Sequence, residues 1–215
     1  MALAALISST VPAAIEGGER AITVRIARLR QAGKDDCGRI AELFRMASGG
    51  VSDYVWLQMA PLYPGAPLLE IGARRFEREG VGFSWQNCTI AEYGGEVIGM
   101  CHAFALAARV KGEVEHDPVL RPYAELELPG SLYIAGLAVA PEFRNQGLGS
   151  RLMGAARREA RARGIGGLSL LCFEQNEGAC RLYERSGFRV VDRRKVVPHP
   201  LIHHRGDVLL MAAYA

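Results

Sequence analysis

The chain has 215 residues, 49% of them hydrophobic and 23% charged, with 26 basic against 23 acidic side chains and a net charge of +3. That balance fits an ordinary soluble domain with a substantial core, and the small excess of charge argues against a nucleic-acid partner. Cys37, Cys88, Cys101, Cys172 and Cys180 are odd in number and lack C-x-x-C spacing, which fits reduced thiols in a cytoplasmic protein.

Residues 1–15 are apolar and alanine-rich, and the first basic residue is Arg20. A secretory leader needs a basic start, so none is expected. Residues 1–20 read as an extension on a single domain spanning 21–215. No run reaches the roughly 18 apolar residues of a spanning helix, so no membrane partner is expected. Residues 23–30 alternate apolar and polar and predict the first strand. A helix then starts near Lys34, buries Ile40, Leu43, Phe44 and Ala47, and stops at Gly49-Gly50. Residues 51–59 and 68–79 predict two further helices, broken apart by Pro61, Pro64 and Gly65. Residues 86–93 and 96–106 predict a hairpin turning at Gly94-Gly95. His102 stands alone on its second strand and reads as a core or edge residue rather than a base. Residues 111–129 are polar, carry Pro118 and Pro122, and read as an inserted loop; Glu125 and Glu127 sit directly ahead of the next strand.

That strand, residues 132–139, is a short apolar run bounded by Gly130 and Pro141. Arg144-Asn145-Gln146-Gly147-Leu148-Gly149 follows as a basic glycine turn, and then Leu152, Met153, Ala156 and Ala160 recur at helical spacing. Strand, glycine turn and helix together suit a phosphate group, because the first helical turn has unpaired N–H groups and the positive end of the helix dipole. The pattern is no P-loop, since no Lys follows the glycines, and no dinucleotide fingerprint, since the third glycine is missing. Residues 167–173 predict a second fully apolar strand, 178–186 a short helix ended by Gly187, and 188–197 and 208–214 two closing strands. His199, His203 and His204 in the last connection lack metal-ligand spacing, so no metal is expected.

Arg-x-x-Gly-x-Gly preceded by Leu-Ala-Val-x-Pro, with the later stretch NEGACRLYERSGF over residues 176–188, resembles the two signature motifs of the GNAT superfamily of N-acetyltransferases. The resemblance in motifs covers residues 132–188. It implies an α/β (α+β) fold: a mixed, mostly antiparallel sheet of about seven strands with a splayed centre, flanked by helices. It implies acetyl-CoA as acyl donor, with Leu137, Ala138 and Val139 pairing through their backbone with the pantetheine arm. Asn145, Gln146, Gly147, Leu148, Gly149 and Ser150 would cradle the pyrophosphate, with Arg144 opening the motif and Asn176 contacting the cofactor. Gly147 and Gly149 would leave room for phosphate oxygens. Tyr183, seven residues after Asn176, falls where the family has a general acid.

An amine acceptor must lose a proton before it can attack a thioester. Some relatives carry a glutamate on the second central strand, and this chain has Leu171 there; Glu125 or Glu127, acting through water, is the candidate base. Tyr54, Trp56 and Tyr63, lying between the first two strands, are candidates to line the acceptor pocket. The implied reaction is acetyl transfer to the primary amine of a small molecule by direct attack. Acetylation of a protein N-terminus or lysine remains open, as do a non-catalytic acyl-CoA sensor and a nucleotide-binding protein of Rossmann type. Relatives often pair through sheet edges, which leaves a homodimer open.

Overall fold

Seven strands form one sheet in the spatial order β1 (Arg28–Gln31), β2 (Cys88–Tyr93), β3 (Glu96–Ala105), β4 (Leu132–Val139), β5 (Gly167–Phe173), β7 (Asp207–Tyr214), β6 (Arg189–Lys195). The structure is a computed structural model describing residues 27–107 and 114–215. The extension expected at 1–20 and the first half of the leading strand expected at 23–30 lie outside the described residues; β1 begins in the described half. Every neighbouring pair of strands is antiparallel except the central one, β4 and β5. The mixed, mostly antiparallel sheet is therefore the one expected.

Each face is covered because a helical stripe meets it. On one side α5 (Leu148–Ala162) buries Leu148, Leu152, Met153, Ala156 and Ala160 against Ile98, Cys101, Leu132 and Ile134. On the other, α1 (Cys37–Ala47), α2 (Val51–Met59) and α3 (Leu68–Phe76) pack Ile40, Leu43, Trp56, Ile71 and Phe76 onto Ile90 and Met100. Full burial of one such side chain contributes about 1.5–3 kcal/mol, which outweighs the weak helix propensity of pieces this short. The third predicted helix ends at Phe76 rather than at residue 79. A last helix, α6 (Glu177–Arg185), links β5 to β6.

The polar stretch at 111–129 is not wholly a loop, because α4 (Arg121–Glu125) forms within it with Pro122 in its first turn, where proline costs no hydrogen bond. Asp117 organises its approach. One carboxylate oxygen accepts from the Val119 and Leu120 amides (2.8 and 3.1 Å), and the other from the Tyr54 hydroxyl (2.9 Å) and the Gln58 amide (2.7 Å). This ties the insertion to α2.

The splay at the centre has a local cause. β4 and β5 pair only at Leu132–Leu168, Tyr133–Ser169 and Ile134–Leu170. Ser131, just ahead of β4, meets the buried hydroxyl of Ser169 within that stretch at 2.6 Å. In the next step β4 bulges: His102 faces Gly136 while Ala103 faces Ile134, so Ala135 has no partner on β3. The bulge reverses the pleat, so that Leu132 and Ile134 face the α5 side while Ala135 and Ala138 face the α1 side. Gly136 permits it, since a Cβ there would stand 2.8 Å from the Phe44 ring. Beyond Ile134 the strand keeps β3 on one edge and has no strand on the other.

Candidate active site

That unpaired edge opens onto a cavity of about 440 Å³ lined by Leu137, Ala138, Val139, the turn after β4 and the first turns of α6. A strand edge inside a sheet presents backbone donors and acceptors at fixed spacing, ready for an extended ligand. The turn supplies the second half of the cradle. Asn145 (φ 59°) and Gly147 (φ 77°) both adopt the left-handed conformation, the second at the N-cap of α5. The Gly147 carbonyl accepts the Arg151 amide (3.1 Å), so the amides of Leu148, Gly149 and Ser150 precede the first helical bond and have no acceptor within the helix. With the helix dipole behind them they form an anion-binding concavity.

Six of the seven residues from Arg144 to Ser150 line this cavity; Gln146 does not, and instead donates to the Glu142 carbonyl at 3.2 Å. The Arg144 guanidinium donates to the Val139 carbonyl (3.0 Å), tying the turn to the strand end. The two glycines have different reasons to be glycine. At Gly147 a Cβ would meet nothing within 4 Å, and the requirement is the positive φ. At Gly149 a Cβ would lie 3.1 Å from the Leu182 side chain. Gly149 therefore also lets α6 approach closely, while its backbone still lines the cavity.

Asn176 caps α6, its side-chain oxygen accepting from the Ala179 amide at 3.2 Å. Two turns on, Tyr183 is 8% exposed and packs its ring against Phe188. Burial pushes its hydroxyl well above the ordinary tyrosine range, so it stays protonated at neutral pH and keeps a proton to give. Tyr183 and Asn176 line the first cavity and also a second one on the far side of the splay.

The second cavity, about 530 Å³, has walls of Phe44, Phe83, Phe104, Tyr123, Tyr133 and Phe173, with Arg75, Glu115 and Glu127 as its charged members. None of Tyr54, Trp56 and Tyr63 lines it. Trp56 is fully buried, and a Cβ at Gly72 would touch its ring at 2.5 Å. Tyr54 binds Asp117 and packs edge-on against His199 at 4.6 Å, and Tyr63 lies under the Arg74 guanidinium at 5.6 Å. Of the two acidic candidates, Glu125 accepts from Arg194 at 3.0 Å and does not line the cavity, whereas Glu127 does. Leu171 contributes an apolar patch to the same wall, and Glu174 is drawn off to Arg193 at 3.3 Å.

His102 lies behind the wall, boxed by the rings of Phe44, Phe76, Phe83 and Phe104 at 5.3–6.0 Å. Burial, aided by the nearby Arg75 charge, lowers its pKa to about 4. It is a neutral core residue at physiological pH, as expected. The other histidines dock the β6–β7 connection: His204 stacks on Phe173 at 4.3 Å, and the His203 amide donates to the Gly49 carbonyl. Among the described residues no group of three or more His, Cys, Asp or Glu side chains could hold a metal ion, and no helix is long and apolar enough to cross a membrane.

Residues 54–188, more than half of the chain, match the family described as acetyltransferase (GNAT). No curated protein matches the sequence. The fold is shared with the crystal structure of an acetyltransferase (22% identity, TM-score 0.61, covering 87% of this chain and 98% of that one). It is also shared with the ribosomal-protein-S18-alanine N-acetyltransferase of Escherichia coli (17%, 0.56, 88% and 94%) and with the PaiA N-acetyltransferase of Thermoplasma acidophilum in complex with coenzyme A (15%, 0.53, 88% and 99%).

Proposed function

The chain belongs to the acetyltransferase (GNAT) family, and on that premise we propose that it transfers the acetyl group of acetyl-CoA to a primary amine of a small molecule. The observation that carries the reading is that two cavities meet at Tyr183, one of them walled by backbone amides and an open strand edge, the other by aromatic rings.

The residues present fit coenzyme A. The amides of Leu148, Gly149 and Ser150 suit its pyrophosphate, and the free edge at Leu137–Val139 suits the amide-bearing pantetheine arm. A structural neighbour, the PaiA N-acetyltransferase, is in complex with coenzyme A. When bound, acetyl-CoA supplies an activated acyl group and a thiol leaving group. A backbone N–H on the open edge would hold the developing oxyanion, and the Tyr183 hydroxyl would give its proton to the departing sulfur. Glu127, which lines the second cavity, would draw a proton, through water, from an ammonium entering it. Holding donor and acceptor on either side of one tyrosine converts a bimolecular encounter into an oriented step.

The aromatic walls favour a small acceptor with an apolar body over the polar backbone of an extended peptide, even though one neighbour is a ribosomal-protein-S18-alanine N-acetyltransferase. Release of free thiol from acetyl-CoA, followed across a panel of small amines, peptides with free N-termini and lysine peptides, is the test. Turnover with small amines is the expected result. Turnover with peptides alone makes the acceptor a protein, and tight coenzyme A binding without thiol release identifies a sensor.

A further inference from the structure

Arg75 sits in the last turn of α3 and differs from its neighbour. Arg74 points outward and forms an ion pair with Glu70, whereas Arg75 turns inward, lays its guanidinium 4.0 Å from the centre of the Phe83 ring, and lines the second cavity. Its Nε is fully buried with no hydrogen-bond partner, and among the described residues no carboxylate forms an ion pair with it. The nearby Arg78 charge is of like sign and adds to the penalty of burial. A half-buried cation without a counter-charge is unfavourable in a folded protein unless something else supplies the charge. Stacking on a ring keeps the planar fork of donors pre-organised for a bidentate anion. The same cavity carries two carboxylates, Glu115 and Glu127.

Resting on the acyltransfer reading above, we propose that Arg75 is a specificity residue that binds a carboxylate of the acceptor, so that the acceptor is an aminocarboxylate with an apolar body. Arg75 takes the carboxylate, the aromatic walls take the body, and the ammonium faces the acidic side of the cavity. Burial pulls the guanidinium down from 12.5 to about 10, so it still carries its charge at neutral pH, and a bound carboxylate restores the missing partner.

The test compares phenylalanine, phenethylamine and the phosphonate analogue of phenylalanine as acceptors, in the wild type and in Arg75→Met and Arg75→Lys. The wild type should prefer phenylalanine over phenethylamine by at least about 10-fold in kcat/KM. That ratio should collapse toward one in Arg75→Met through KM, and Arg75→Lys should restore only part of it, since a point charge cannot replace the fork. Because the ratio is taken within one protein, a lower folded fraction does not alter it. Preference for the phosphonate over phenylalanine, no preference in the wild type, or an unchanged ratio in Arg75→Met overturns the assignment. Calorimetric titration of phenylalanine into the coenzyme A complex reads the site without turnover. A protein that releases no thiol yet binds phenylalanine in an Arg75-dependent way refutes the acyltransfer reading and keeps this one; no Arg75-dependent binding and no preference removes it.

Discussion

Replacing His102 with leucine takes a titratable ring out of the most apolar part of the wall behind the second cavity. The histidine is fully buried among four phenylalanine rings, and its nitrogens have no hydrogen bond of good geometry. Its pKa falls from 6.5 to about 4, first through burial and then through the Arg75 charge. Above about pH 6.5 the ring is neutral in both folded and unfolded chains and stability does not depend on its titration. As the pH falls from 6.5 to 4 the unfolded chain takes up a proton that the folded protein refuses, so stability drops. The loss approaches about 1.4 kcal/mol per pH unit and amounts to about 2 kcal/mol by pH 5. Urea unfolding of the wild type and His102→Leu at pH 7.5, 6.0 and 5.0 reads it directly. The difference in unfolding free energy should move in favour of the leucine variant by about 2 kcal/mol between pH 7.5 and 5.0. His204, whose pKa burial also lowers, titrates in both proteins and cancels. Parallel pH dependences for the two proteins would refute the reasoning, because the ring would then be charging in the folded state.

Three further outcomes are expected. Tyr183→Phe keeps the ring packing against Phe188 and removes the proton donor, so kcat should fall by about 10²-fold or more while the melting temperature and coenzyme A affinity, read by thermal scan and titration, stay close to the wild type. Glu127→Gln should lower kcat/KM by about 10²-fold. Glu125→Gln, which breaks only the exposed pair with Arg194, should stay within about 2-fold of the wild type. Gly50→Ala places a Cβ 1.7 Å from the Leu201 carbonyl oxygen at a φ of +95°, and should cost about 3 kcal/mol or more in chemical denaturation.

The strand, turn and helix from 131 to 164 could be read in the sequence because each local signal agrees with the tertiary one. Leu132–Val139 is apolar enough to be buried on both faces, Gly147 needs its positive φ, and the α5 stripe matches the face it covers. The acceptor half was legible only as elements. Tyr54, Trp56 and Tyr63 lie in the right segment, but a helix turns each residue about 100° from the last, and no pattern said which side would face the cavity. Phe83 comes from the connection after α3, Phe104 from β3 and Tyr133 from β4, and the β3–β4 register next to the Ala135 bulge sets Phe104 opposite Tyr133. A bulge adds one residue and swaps faces without a sequence signature beyond a nearby glycine, here Gly136. The strongest available hint was Arg75, an arginine one position off the exposed Glu70–Arg74 pair and aligned with the buried side of α3 at Ile71 and Phe76.

The same bulge links the architecture to the chemistry. Were β4 regular, its pairing with β5 would run on past Ile134, and the backbone groups of Leu137–Val139 would be spent on the sheet. The extra residue at Ala135 shifts the register against β3, the pairing with β5 ends, and the two strands diverge around Tyr183. The Ser131–Ser169 contact holds the strands together at the closed end, so the opening is a fixed wedge rather than a frayed sheet. On the acyltransfer reading proposed above, a wedge with one polar backbone wall and one aromatic side would admit two different molecules from opposite faces and bring them together at its apex. Filling Gly136 should therefore disturb acetyl transfer from a distance. In Gly136→Ala the new Cβ would press on Phe44 at 2.8 Å, and Phe44 lines the acceptor cavity. KM for the amine should rise several-fold while coenzyme A titration changes little. An equal loss of affinity for both molecules would mean that the wedge opens as one unit, and that the two walls are not set independently.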